Sequence, residues 1–152
     1  MLLSQKCQYA LRAVFEMAKR SGEGPIKIEA IARVQSIPPR FLAAILNQLK
    51  QGGFVKSRRG AEGGYLLARS ADELSVGEVM RFVEGPLAPV ECVTKKGSQS
   101  CPLEGKCAFM AMWSEAQEAM ENVYDRTTFQ DLVDREAETT EGGEECVPTY
   151  CI

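Results

Sequence analysis

The chain of 152 residues contains no histidine. Without histidine, the Ser–His and Cys–His pairs that activate many enzymatic nucleophiles cannot form. The sequence also has no Gly-rich phosphate loop of the P-loop or dinucleotide type. Its many carboxylates lie mostly in a long helical segment or in the acidic tail, where a solvated role is the default. We therefore expect a protein that is not an enzyme.

Long apolar runs are also missing from this sequence. No run approaches the roughly 20 residues that a helix needs to cross a bilayer, so we expect a soluble protein with no membrane association. Residues 1–6 lack the apolar core of a signal peptide, which predicts a cytoplasmic location. In a reducing compartment, the six cysteines are better explained as metal ligands or redox groups than as structural disulfides.

The net charge of −3 conceals an uneven charge distribution. Residues 1–70 contain 12 Lys or Arg against 4 Asp or Glu, a net charge of +8. Residues 71–152 contain 6 against 17, a net charge of −11. A basic amino-terminal half can bind the phosphate backbone of DNA through counterion release, while the acidic half keeps the protein soluble.

The basic half contains a helix-turn-helix pattern. Residues 28–34 predict a first helix, and Ser36 can cap a second helix whose first turn tolerates Pro38 and Pro39. Gly52 and Gly53 are expected to end this second helix. Apolar residues at helical spacing predict its buried face, namely Phe41, Leu42, Ile45, Leu46 and Leu49.

A basic β-hairpin is predicted to follow the second helix. Residues 54–58 and 65–68 are strand-like, and residues 59–64 join them as a glycine-containing turn. A helix fits the major groove of DNA, and a basic hairpin can follow the phosphates or enter the minor groove. The pattern thus predicts a winged helix that binds double-stranded DNA. The candidate contact residues are Arg40, Asn47 and Gln48 on the second helix, and Arg58 and Arg59 on the wing.

The rest of the chain is predicted to be mostly helical. Ser4 can cap a helix over residues 5–19, and Ser75 with Glu78 forms a capping-box pattern before a short helix. A long helix is expected over residues 107–124, where an apolar stripe with alternating spacings of four and three favours a dimer interface. Thr128 can cap one last short helix. The stripe consists of Phe109, Trp113, Ala116, Met120 and Val123.

These patterns predict a mostly α fold with a small β wing, in which a winged helix-turn-helix domain is followed by a long dimerisation helix. We expect the DNA-binding domain over residues 1–85 and a cysteine-bearing loop over residues 86–107. Residues 108–133 would form the dimerisation helix and a short terminal helix. Residues 134–152 are acidic and nearly free of apolar side chains, and we expect them to form a disordered tail.

Cys92, Cys101 and Cys107 lie in a single loop before the long helix, with the spacing C-x8-C-x5-C. Three thiolates on such a loop can bind an iron–sulfur cluster, since these clusters are bound mainly by cysteine thiolates. A thiol redox switch is the first alternative. A structural zinc site is the second, but it would need four ligands at closer spacings such as C-x2-C.

With these features in place, the chain resembles the Rrf-type bacterial regulators, which include IscR-, NsrR- and RirA-like iron–sulfur regulators. The resemblance extends over residues 1–132 and rests on R-G-x-x-G-G-Y at residues 59–65, YALR at 9–12, VGEV at 76–79 and the three-cysteine loop. It implies a homodimeric transcription regulator, usually a repressor. It also implies that Cys92, Cys101 and Cys107 are cluster ligands and that Arg59 enters the minor groove.

The fourth cluster ligand is where this sequence departs from its relatives. IscR-like proteins use a histidine, whereas NsrR-like proteins use an acidic residue donated from the partner subunit near the amino terminus. The matching position here is Gln8, and Cys7 beside it is chemically better, although it could equally be a small core residue. Cys146 and Cys151 could also reach the cluster or pair with each other. Three thiolates favour [4Fe-4S] over [2Fe-2S], with one labile iron suited to sensing iron, redox state or nitric oxide.

Two kinds of alternative remain open. A regulator of the same fold could lack the cluster and sense thiol oxidation or a partner protein, as CymR-like members do, although those members lack this cysteine triad. A small electron-transfer iron–sulfur protein would explain the cysteines but would leave the wing and the basic half unexplained.

Overall fold

The computed structural model describes residues 2–94 and 101–141. The helices of the amino-terminal half are α1 (Gln5–Lys19), α2 (Ile28–Val34) and α3 (Pro39–Gln51), and they precede the strands β1 (Val55–Arg58) and β2 (Gly64–Leu67). They are followed by α4 (Val76–Glu84), a 3-10 turn (Glu91–Val93), α5 (Met110–Arg126) and α6 (Phe129–Glu141). The expected fold class, mostly α with a two-stranded antiparallel wing, is confirmed. No helix in the described ranges is long and apolar enough to span a bilayer.

Helix α1 forms the centre of the core, because it contacts α2, α3, α4, α6 and β2. Ser4 caps it as predicted, since the Ser4 hydroxyl accepts a hydrogen bond of 3.1 Å from the backbone N–H of Cys7. The buried side chains of its middle turns are small or flexible, so neighbouring helices can approach closely. These side chains are Ala10, Ala13, Val14, Met17 and Ala18.

A compact junction connects the start of α4 with the α5–α6 turn. The predicted capping box is present, since Ser75 accepts from the Glu78 N–H and the Glu78 carboxylate accepts from the Ser75 N–H. The N–H of Val76 also donates to the carbonyl of Thr127 over 2.9 Å. Phe129, at the start of α6, is fully buried in the core. The junction therefore attaches α5 and α6 to the amino-terminal core at a defined position.

The prediction that Ser36 caps α3 was wrong. Ser36 does not cap α3, because its backbone adopts a left-handed conformation with φ of 51° and the N-cap position belongs to Pro38. Pro39 occupies the first helical position. A backbone N–H at this position has no partner within the helix, so its absence in proline costs no hydrogen bond.

The carboxyl-terminal helices also differ from the expected bounds. Helix α5 begins at Met110 rather than near residue 107, and α6 continues through Glu141 although disorder was expected from residue 134. The reason is tertiary contact, because Leu132 and Val133 pack against the core and Glu136 forms an ion pair of 2.5 Å with Lys19. The remaining tail, with Cys146 and Cys151, lies outside the described residues.

Replacing Ser75 with alanine should lower the free energy of unfolding by about 1 kcal/mol, because the substitution removes an N-cap acceptor for α4. Urea unfolding followed by circular dichroism measures this change. Ser21, exposed in the loop after α1, provides the matched control, and Ser21→Ala should be close to neutral. Equal stability of the two variants would contradict a stabilising role for the capping box.

Candidate nucleic-acid interface and cysteine loop

Helix α3 has one buried face and one exposed face. Leu42, Ile45, Leu46 and Leu49 are at most 4% exposed and pack against the core. On the opposite side, the predicted contact residues Arg40 and Asn47 are exposed and Gln48 is half-buried. The side chains proposed to contact DNA are therefore on the accessible face of the second helix of the helix-turn-helix.

Phe41 departs from the predicted buried face. Its side chain is 64% exposed, whereas the adjacent Leu42 is fully buried. The reason is geometric, because successive helical residues are about 100° apart around the helix axis. Leu46 forms one edge of the buried stripe, and Phe41 lies just beyond the other edge. The first two turns of α3 thus expose an aromatic ring beside Arg40.

A polar network attaches the turn between α2 and α3 to α1. The amide of Gln35 donates to the carboxylate of Glu16 over 2.9 Å, and Glu16 is only 4% exposed. The guanidinium of Arg12 donates in turn to the side-chain and backbone oxygens of Gln35. A buried carboxylate that receives a hydrogen bond is tolerated in a core, so this network fixes the turn between α2 and α3.

The wing is anchored by an isolated bridge to the segment before α2. Ile26 and Tyr65 exchange two backbone hydrogen bonds, each of 2.8 Å. The glycines of the R-G-x-x-G-G-Y pattern permit this close approach. A Cβ at Gly64 would collide with the backbone of Ile26, and a Cβ at Gly63 would collide with the carbonyl of Arg58. Both positions therefore require a residue without a side chain.

Basic side chains line a groove between the wing and the start of α2. The groove has a volume of about 540 Å³, and its lining includes Lys27, Arg58 and Arg59, together with one carboxylate, Glu29. Arg58 pairs with Gly64 in the strand register, and Arg59 begins the turn. Both arginines are exposed. The wing thus presents positive charge on an accessible surface, an arrangement that suits contact with phosphates.

The structure does not gather the loop cysteines into a metal site. Cys92, in the 3-10 turn, and Cys101 and Cys107, before α5, are all free and half-buried. Within residues 2–94 and 101–141, no three His, Cys, Asp or Glu side chains are close enough together to bind one metal ion. The thiols fit a soft metal centre by their chemistry, and binding would require the loop to bring them together.

The two candidates for a fourth ligand have very different surroundings. Cys7 is fully buried, beside Met80 and Leu87. Burial is the main cause, and the nearby Glu84 the second, that raises the pKa of its thiol to about 11. A thiol in this position packs as a core residue of the single chain, so Cys7 would have to leave the core to bind a cluster in a second copy. Gln8 is exposed, and its amide donates to the carbonyl of Leu3 over 3.1 Å.

Residues 3–135 match the Rrf2 family, described as an iron-dependent transcriptional regulator. The transcriptional regulator CymR of Bacillus subtilis is 33% identical over 99% of each chain. IscR of Erwinia tasmaniensis is 30% identical, over 90% of this chain and 81% of that protein.

Two solved structures show the same fold. CymR of B. subtilis, described as its global cysteine regulator, superposes with a TM-score of 0.75 at 34% identity and covers 89% of this chain and 98% of its own. IscR of T. potens superposes with a TM-score of 0.72 at 31% identity, covering 95% and 94%.

Replacing Gly64 with alanine should lower the free energy of unfolding by about 1–3 kcal/mol, as expected when an added group is forced into a packed site. The new Cβ would push against the backbone of Ile26 and strain the bridge to Tyr65. Chemical denaturation gives the value. The control, Ala61→Ser, adds one atom at the exposed tip of the same turn and should change little. A neutral Gly64→Ala variant would show that the wing can move away from Ile26 without cost.

Proposed function

Because the chain belongs to the Rrf2 family of transcriptional regulators, we propose that it binds operator DNA as a homodimer and represses transcription in response to iron, redox state or nitric oxide. The observation that supports this best is that α3 and the wing, whose strand β1 contacts α3, both carry exposed basic side chains. Exposed Arg40 and Asn47 on the helix and exposed Arg58 and Arg59 on the wing lie on elements packed against one core.

Helix α5 supports the homodimer. It has 17 residues, none of which is buried in the isolated chain. Phe109, just before the helix, is 62% exposed, and Met112 and Val123 within it are each 46% exposed. A long helix with an exposed apolar stripe is well suited to pairing with a second copy. A two-fold dimer would bind a roughly palindromic operator with half-sites about one or more helical turns apart.

Cys92, Cys101 and Cys107 are the proposed ligands of an iron–sulfur cluster, with [4Fe-4S] favoured over [2Fe-2S]. When bound, such a cluster would supply a group that reacts with oxygen or nitric oxide and that is lost when iron is limiting. The three half-buried thiols and the similarity to IscR proteins support this assignment. The cysteine loop joins α4 to α5, so the conformation of the loop influences the distance between the two α3 helices of a dimer. Gln8, water or a small exogenous ligand would complete the site.

A cluster-free regulator of the same fold is the second candidate. CymR of B. subtilis, a relative over nearly the whole chain, is described as a cysteine regulator. The free, half-buried thiols in the described part of the loop are also compatible with thiol oxidation or with binding of a partner protein. An anaerobic absorption spectrum with iron and sulfide analysis distinguishes the two candidates.

Replacing Arg59 with alanine should weaken operator binding by about 1–3 kcal/mol if its guanidinium enters a groove. The affinity should be measured by fluorescence anisotropy at several salt concentrations, because loss of a phosphate contact would lower the salt dependence by about one ion. Arg135→Ala, which removes an exposed arginine on α6, is the matched control. Wild-type affinity of the Arg59 variant at physiological salt would contradict the wing assignment.

Replacing Cys92, Cys101 or Cys107 with serine should abolish or destabilise the cluster and leave a folded dimer, since none of the three thiols belongs to the core. Iron and sulfide content per protomer and size-exclusion chromatography test both parts of this expectation. Cys7→Ala serves as the control and should keep the cluster, because Cys7 is buried in its own protomer. Full iron and sulfide in all three loop variants would refute the ligand assignment.

A further inference from the structure

The accessible face of α3 is mostly apolar where the helix begins. The exposed residues of its first two turns are Pro39, Arg40, Phe41, Ala43 and Ala44, so only Arg40 offers a hydrogen-bonding side chain there. The amides of Asn47 and Gln48 follow one turn later. In helix-turn-helix proteins, the first residues of the recognition helix contact base edges.

Phe41 makes the largest contribution to this apolar surface. It is the third residue of α3, and its ring is 64% exposed. Ala44 and Gln48 follow it at helical spacings of three and seven, so the three residues lie along one stripe. The small side chain of Ala44 leaves the ring free to approach a flat surface closely.

The charges around Phe41 indicate what it contacts. A single exposed apolar residue is ordinary on a protein surface and needs no partner. Phe41, however, adjoins Arg40, and the wing on the same domain carries Arg58 and Arg59, within a half of the chain with a net charge of +8. These surroundings favour a polyanionic partner over an apolar groove of another protein.

The apolar group that the major groove offers is the 5-methyl group of thymine. We propose that the ring of Phe41 contacts a thymine methyl in each half-site, so that the protein selects thymine at the position facing the first two turns of α3. Arg40 would stay beside the ring to contact a phosphate or a guanine edge. This inference rests on the proposed operator binding and specifies one feature of the operator sequence.

Replacing thymine with deoxyuridine tests the contact, because it removes only the methyl group. Duplexes that the purified protein selects from a randomised library supply the binding sequence. Each thymine of one half-site is then replaced singly by deoxyuridine, and the affinity is measured. At the contacted position we expect binding to weaken about fourfold, the effect of exposing one methyl-sized group.

The Phe41→Ala variant should bind the thymine and deoxyuridine duplexes with nearly equal affinity. Because Phe41 is largely exposed, this variant should fold normally, which circular dichroism verifies. Phe109→Ala is the matched control, since Phe109 is similarly exposed, at 62%, but precedes α5. Even if that variant weakens the dimer, its thymine-to-deoxyuridine ratio should remain that of the wild type.

The possible results separate this inference from the function on which it rests. Selection of a specific sequence with no effect of deoxyuridine at any position would overturn the Phe41 contact and leave operator binding intact. Unchanged discrimination in Phe41→Ala would also overturn it. Failure to select any sequence would contradict the operator-binding proposal itself.

Discussion

The packing of α3 against α1 is the constraint on which the rest of the structure depends. Leu42, Leu46 and Leu49 are fully buried in the same core as the small side chains of α1, and the two helices are in contact. Rotating α3 to bury another face would expose these leucines, each worth roughly 1.5–3 kcal/mol when fully buried. The buried face therefore fixes the opposite face, which presents Arg40, Phe41 and Asn47 to solvent.

The wing and the long helix are attached to this same core at separate points. The wing is joined through the bridge between Ile26 and Tyr65, which the missing side chain at Gly64 permits. Helix α5 is joined through the hydrogen bond from Val76 to Thr127 and the burial of Phe129. A change in the cysteine loop would thus act on α5 near its amino-terminal end, while its carboxyl-terminal end stays attached.

Two classes of cysteine follow from this architecture. Cys7 lies on the buried face of α1, where an apolar environment and Glu84 favour the protonated thiol. Cys92, Cys101 and Cys107 lie at half-buried positions outside the core, where the sulfur atoms are accessible to a metal or another thiol. The same residue type therefore has a packing role in one place and is chemically available in the other.

Local signals in the sequence determined the order of the elements and most of their ends. Ser4, the capping box from Ser75 to Glu78 and the glycines after α3 act on neighbouring backbone groups, so their effects can be predicted without a fold. The leucine pattern of α3 likewise predicted its buried face, and the family resemblance predicted the fold.

Long-range contacts decided the rest. Phe41 lies at the edge of the apolar stripe, and only the position of neighbouring helices determines whether such a residue is covered. The acidic segment after residue 133 is helical because Leu132, Val133 and Glu136 find partners on the domain. Burial of Cys7 depends on α4 and the chain after it, which lie some 80 residues away in sequence. Contacts between residues so distant in sequence form only when the whole core packs, and for that reason the sequence pattern alone could not predict them.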